Sequence, residues 1–168
     1  RQVAIRARAF GMTVIISDVY QDEQAAAALN ARYVPLEELL RTADFVSVHA
    51  PAGPQTRDLI SKQTLALMKP SAYLINTARG ELVNEADLAD AVKGGRIAGA
   101  AIDVFKREPP EAENPLLHLP NVLPLPHTAG LTMQSGERMA DLSTENILAV
   151  KRGERPPYPV NEVRERSQ

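Results

Sequence analysis

The sequence predicts a doubly wound α/β domain built on a parallel sheet, and three observations carry that prediction. Short apolar runs alternate with segments of helical periodicity along the chain, strand then helix then strand. The apolar runs lack strict period-two alternation, the pattern of strands covered on both faces. Most of these runs also end on a polar or titratable residue, as strands do when their carboxyl ends line a binding crevice.

The elements follow in order. RQVAIRARAF has helical periodicity from its first residue, with no cap and no preceding strand, and Gly11 supplies a helix stop. A helix that starts so abruptly leads us to expect that the chain has lost its true beginning. MTVIIS reads as a buried strand running up to Asp18, QDEQAAAALN as a helix with a charged first turn, and ARYV as a short strand. PLEELLRTA opens a helix on Pro35, and DFVSVHA is the next apolar strand. SKQTLALMKP is a short helix with Ser61 as cap and Pro70 as stop. AYLINT (strand), NEADLADAVKGG (helix, Asn84 cap, double-glycine stop) and RIAGAAIDVF (strand) come next. KREPPEAENPLLHLP is a proline-rich loop, NVLPL a strand, and MQSGERMADLSTENILAVKRG a long amphipathic helix. The tail ERPPYPVNEVRERSQ reads as irregular.

Bulk composition narrows the function classes. At 168 residues and 44% hydrophobic content the chain is about one domain long. Aromatic content of 4% makes the core an aliphatic one. A net charge of -2, with both signs interspersed, offers no basic stripe for nucleic acid. Without cysteine there are no disulfides, thiolate nucleophiles or thiolate metal ligands, and three scattered histidines do not make a zinc site, so no metal is expected. No apolar run approaches the ~18 residues of a membrane span, and no signal-peptide pattern opens the sequence. The expectation is a soluble cytoplasmic domain.

Parallel topology brings strand ends to one edge, so the residues delivered there matter most. The run into Asp18 gives a carboxylate, DFVSVHA gives His49, and AYLINT leads into Ala78-Arg79-Gly80. RIAGAAID gives Asp103, with Glu108 shortly after, and NVLPLP gives His127. Singly, each has an ordinary structural explanation as a turn, cap or surface group. Together an arginine, a glutamate and a histidine suit a small carboxylate substrate. In dinucleotide-binding units an acidic residue at the end of the second strand follows the glycine-rich turn by about 20 residues. Counting back from Asp18 falls just before Arg1. The internal cluster KGGRIAG runs helix to strand, the wrong direction for a phosphate loop.

INTARGELV, AAIDVFKREPP and LPHTAG, in that order, resemble the signature segments of the D-isomer-specific 2-hydroxyacid dehydrogenases. AFGMTVIISDVY, ADFVSVHAPAGPQTRDLI and LALMKPSAYLINTARG match the same family, so the resemblance covers residues 1 to about 161. It implies a Rossmann-type NAD-binding domain over residues 1–130 that lacks its first strand and glycine-rich turn. Residues 131–168 would be a long helix and tail returning toward a substrate domain. With the central strand absent, a gap in the sheet is expected, as is weak NAD binding by this chain alone.

The resemblance also implies roles. Arg79 would grip the substrate carboxylate and polarise the keto oxygen, His127 would be the acid/base, and Glu108 would hold the other ring nitrogen of His127. Asp18 would chelate the adenosine ribose hydroxyls and favour NAD over NADP. Asp103 would lie near the nicotinamide amide. His49, Pro51, Thr77, Ala78, Arg79, His127, Ala129 and Gly130 would line the cofactor. The residues Ala52-Gly53-Pro54 depart from the usual Leu-Thr-x after His-x-Pro. The implied activity is hydride transfer between NAD and a small D-2-hydroxy or 2-keto acid, with phosphoglycerate dehydrogenase first and glyoxylate/hydroxypyruvate reductase close behind, in a homodimer. The alternative is a cofactor-responsive corepressor that keeps the same fold.

Overall fold

The computed structural model describes residues 1–160. Two units are distinguished, one spanning Arg1–His127 and a second beginning at Thr128. In the first unit α1 (Gln2–Ala9), β1 (Ile15–Ile16), α2 (Glu23–Ala28), β2 (Arg32–Tyr33), α3 (Leu36–Thr42), β3 (Phe45–Val48) and α4 (Lys62–Leu65) follow one another. They are succeeded by β4 (Tyr73–Asn76), α5 (Glu85–Lys93), β5 (Gly99–Ile102) and β6 (Val122–Pro124). Single 3₁₀ turns at Gly80–Leu82 and Pro115–His118 were not foreseen from the sequence. The second unit holds α6 (Met133–Lys151), started by Thr132, whose hydroxyl accepts from the Ser135 N–H while Ser135 Oγ accepts from the Thr132 N–H.

Among the described residues the named strands pair in parallel in two sheets, β1–β2 and β3–β4–β5–β6 in that order. Among the described residues no ladder joins β1 to β3. The consecutive order of β3 to β6 requires a crossover at every step, and the helical segments between the strands supply it.

One face of the four-stranded sheet carries the core. Val46, Val48, Leu74, Ala100, Ile102 and Val122 alternate with outward residues and are all buried. They join Leu40 of α3, Leu65 of α4, and Leu88, Ala89 and Val92 of α5, whose spacing puts three apolar side chains on one helical face. Each fully buried leucine contributes roughly 1.5–3 kcal/mol. The other face is open at Phe45, Tyr73 and Leu123, which are 54, 43 and 58% exposed. The outward positions hold apolar residues too, so the alternation is hidden from the sequence although it is plain in the burial.

Candidate functional site

The register of the sheet sets the site. Val48 pairs with Asn76, Asn76 with Ile102, and Ile102 with Pro124, so four strands stop on one row. The row is extended by main-chain bonds: Asp103 N–H to Asn76 O at 2.9 Å, Leu125 N–H to Ile102 O at 2.9 Å, and His127 N–H to Asp103 O at 2.8 Å. His49, Thr77-Ala78-Arg79, Asp103 and His127 thus emerge at the same pole. Arg79 and His127 do not lie at opposite ends of the sheet.

His127 sits in the left-handed region, φ 57°. That conformation is uncommon outside glycine, and a residue there costs of order 1 kcal/mol or more unless its surroundings hold it. Here the bond to Asp103 O holds the backbone while the ring reaches back toward the preceding loop. Its Nδ1 bonds Glu108 Oε2 at 2.7 Å, and Glu108 Oε1 accepts the Phe105 N–H at 3.0 Å. One carboxylate is therefore aimed by a main-chain donor on one oxygen and aims the imidazole with the other. The pair is half-exposed, with side chains 50 and 38% accessible, so its worth lies in orientation more than in stability.

The bond from His127, and after it that from Phe105 N–H, hold the Glu108 carboxyl below the usual carboxylate range. A carboxyl depressed on folding stabilises the fold above its unfolded value, and that contribution disappears as pH falls through the folded value. The Glu108–His127 contact should therefore survive acidification through the ordinary glutamate range and break only below it. A ¹³C titration of the Glu108 carboxyl should give a midpoint below that of a free glutamate side chain; a midpoint at or above it would contradict this geometry.

Arg79 is exposed, and its Nη1 donates to Ala78 O at 2.6 Å. Behind it Asn76, fully buried, clamps the turn: its Nδ2 donates to Arg79 O at 2.9 Å and its Oδ1 accepts from Ala78 N–H at 3.1 Å. Gly80 then presses on the backbone of Phe105 and Lys106; an added Cβ would lie 2.1 Å from the Phe105 carbonyl carbon. Contacts thus run from the Arg79 turn through Gly80 and Phe105 to Glu108 and His127.

The other expected residues are more dispersed. Asp103 is buried, 2% exposed. Thr77 is exposed and Ala78 half-buried. His49 Nε2 bonds Ser47 Oγ at 2.9 Å, and burial lowers its pKa. Pro51 O accepts from the Thr56 hydroxyl at 2.7 Å. Asp18 is exposed beyond β1, in the two-stranded sheet, where its Oδ1 accepts the Tyr20 N–H at 3.0 Å. Ala129 and Gly130 belong to the second unit, where Gly130 O accepts from Ser135 Oγ at 2.7 Å. Sequence reasoning missed Asn76 and Gly80. A polar residue inside an apolar run was the available signal for the first.

A model of the D-isomer specific 2-hydroxyacid dehydrogenase NAD binding domain matches residues 1–129. The chain belongs to this family. Glyoxylate reductase of Korarchaeum cryptofilum is 44% identical over 160 residues, which cover 95% of this chain and 48% of that protein. D-3-phosphoglycerate dehydrogenase of Methanocaldococcus jannaschii is 41% identical over 162 residues, 96% of this chain and 31% of that one. The NAD-complexed D-isomer specific 2-hydroxyacid dehydrogenase of Lactobacillus delbrueckii ssp. bulgaricus is 35% identical, with a TM-score of 0.85 over 95% of this chain and 52% of that one. The chain spans about half the length of these relatives or less. The 2-hydroxyacid dehydrogenase resemblance read from the three motifs holds, and so does the parallel α/β fold. The residues present suit the family's cofactor in their chemistry: a carboxylate beyond β1, an exposed threonine and a half-buried alanine after β4, and an imidazole after β6.

Proposed function

We propose that this chain is the cofactor-side part of an oxidoreductase that moves hydride between NAD and a small D-2-hydroxy or 2-keto acid. The observation that carries the reading is the Glu108–His127 bond, held on the rim where Arg79 also emerges. Glu108 takes Nδ1, so Nε2 is the nitrogen left to give or take the mobile proton at the substrate oxygen. Arg79 presents a planar guanidinium, which binds a carboxylate through two parallel hydrogen bonds where an ammonium offers a point charge. Asp18 would hold the adenosine ribose, and Thr77, Ala78, Asp103, His49 and Pro51 would flank the rest. Bound NADH supplies the hydride; the protein supplies position, charge and a proton.

The relatives' names support two acids as the first to test, glyoxylate and the keto acid formed from 3-phosphoglycerate, with hydroxypyruvate and pyruvate beside them. The family resemblance further supports a homodimer. The test is NADH oxidation by the full-length protein with each acid. NADH binding without turnover on any 2-keto acid would overturn the reading and favour a cofactor-responsive binding protein.

Cofactor choice gives a separate check. A carboxylate at Asp18 repels a 2′-phosphate, so Asp18→Ala should narrow the preference for NADH over NADPH by about tenfold, ~1.4 kcal/mol. The ratio of kcat/KM for the two cofactors measures it, and an unchanged ratio would remove Asp18 from the site.

A further inference from the structure

Resting on the reading of Glu108 and His127 as the proton-handling pair, we propose that Glu85 is a positioning residue that clasps both ends of the loop carrying Glu108. Glu85 is the first residue of α5, half-buried, and has no place in the chemistry described so far. Its two carboxylate oxygens are both engaged by that loop. Oε1 accepts the Lys106 N–H at 2.6 Å, and Oε2 accepts from Asn114 Nδ2 at 2.7 Å. The residues between, 107 to 113, form no helix or strand and contain Glu108.

Each end of the clasp is itself anchored. Lys106 directly follows Phe105, whose N–H orients Glu108 Oε1, and its Nζ pairs with Asp58 Oδ1 at 2.5 Å. Asn114 caps the next 3₁₀ turn, its Oδ1 accepting from the N–H of the fully buried Leu116 at 3.1 Å. A charged acceptor makes each hydrogen bond stronger than a neutral one would be. Glu85 therefore links a rigid helix to the two points between which the Glu108 loop is strung. A loop without regular structure, freed at both points, would regain backbone entropy at each residue released. Glu108 would then meet His127 in only part of the population.

The test uses the full-length protein labelled with ¹³C at glutamate carboxyls, the Glu108 signal being assigned by its loss in Glu108→Gln. Glu85→Ala should raise the Glu108 midpoint toward that of free glutamate and lower kcat about tenfold with KM little changed. Glu85→Gln, which keeps the size but only one acceptor, should fall between. The sign is diagnostic, because losing a neighbouring negative charge would by itself lower a carboxyl midpoint. Should Glu85→Ala fail to fold, Glu85→Gln and Asn114→Ala, which cuts one arm only, carry the measurement. His127→Ala separates the two claims. If it raises the midpoint while the Glu85 variants do not, the clasp is wrong and the pair stands. If it leaves the midpoint alone, the pair is wrong; the clasp then stands or falls on whether Glu85→Ala still acts, through the Phe105 N–H.

Discussion

Replacing His127 with asparagine is expected to lower kcat for keto-acid reduction by about 10²–10⁴-fold, the usual worth of a positioned general acid. Asparagine is the informative replacement because of the backbone. His127 occupies φ 57°, and asparagine tolerates that region better than most residues, whereas alanine adds backbone strain to the loss of the ring. The amide is similar in reach to the near side of the imidazole, so the rim is disturbed little. What disappears is a ring nitrogen placed to give and take a proton. Glu108→Gln should cost less, since the imidazole stays in place and one oxygen can still accept from its Nδ1, while the Phe105 N–H and the ring then compete for that single acceptor. Steady-state kcat with the preferred keto acid measures both. A His127→Asn enzyme that retains more than about a tenth of its kcat would place the proton donor elsewhere.

The parts of the site that could be read from the sequence are those that a parallel sheet delivers by rule. Arg79, Asp103 and His127 each follow an apolar run, and once the runs are parallel neighbours their ends must share an edge. Glu108 was noted only as following Asp103, and its role came from the resemblance, because it sits six residues beyond the end of β5 in a loop whose course no periodicity describes. Asp18 shows the reverse case. Its position after β1 was legible, but that strand pairs only with β2 among the described residues, so no ladder places it against the other rim residues. Strand lengths were overestimated for the same reason. MTVIIS looks like six residues of strand, yet only Ile15 and Ile16 find a partner, since a ladder needs a neighbour as well as a propensity. Glu85 could not be found at all from sequence. A glutamate in the first turn of a helix is ordinary on electrostatic grounds, and its two partners lie 21 and 29 residues away.

Gly80→Ala is expected to be severely damaging to both stability and activity. The new Cβ would sit 2.1 Å from the Phe105 carbonyl carbon, 2.3 Å from its oxygen and 2.4 Å from Lys106 N. All three are backbone atoms, so no rotamer change relieves the clash and one segment must retreat by more than an ångström. Overpacking of this kind costs typically 1–3 kcal/mol and more where the obstacle is rigid. The segments forced apart are the turn that presents Arg79 and the loop whose Phe105 N–H aims Glu108. A displacement of about 1 Å at a catalytic group can by itself cost ~10²-fold in rate, so activity should fall further than stability alone dictates. Gly136→Ala provides the contrast. Nothing lies within 4 Å of a Cβ there, inside α6, and alanine should stabilise the helix by about 1 kcal/mol. Thermal unfolding of the two variants should therefore move in opposite directions, Gly80→Ala downward and Gly136→Ala upward. If Gly80→Ala melts like the parent and turns over normally, the Arg79 turn and the Glu108 loop are not in the contact on which the site's geometry depends.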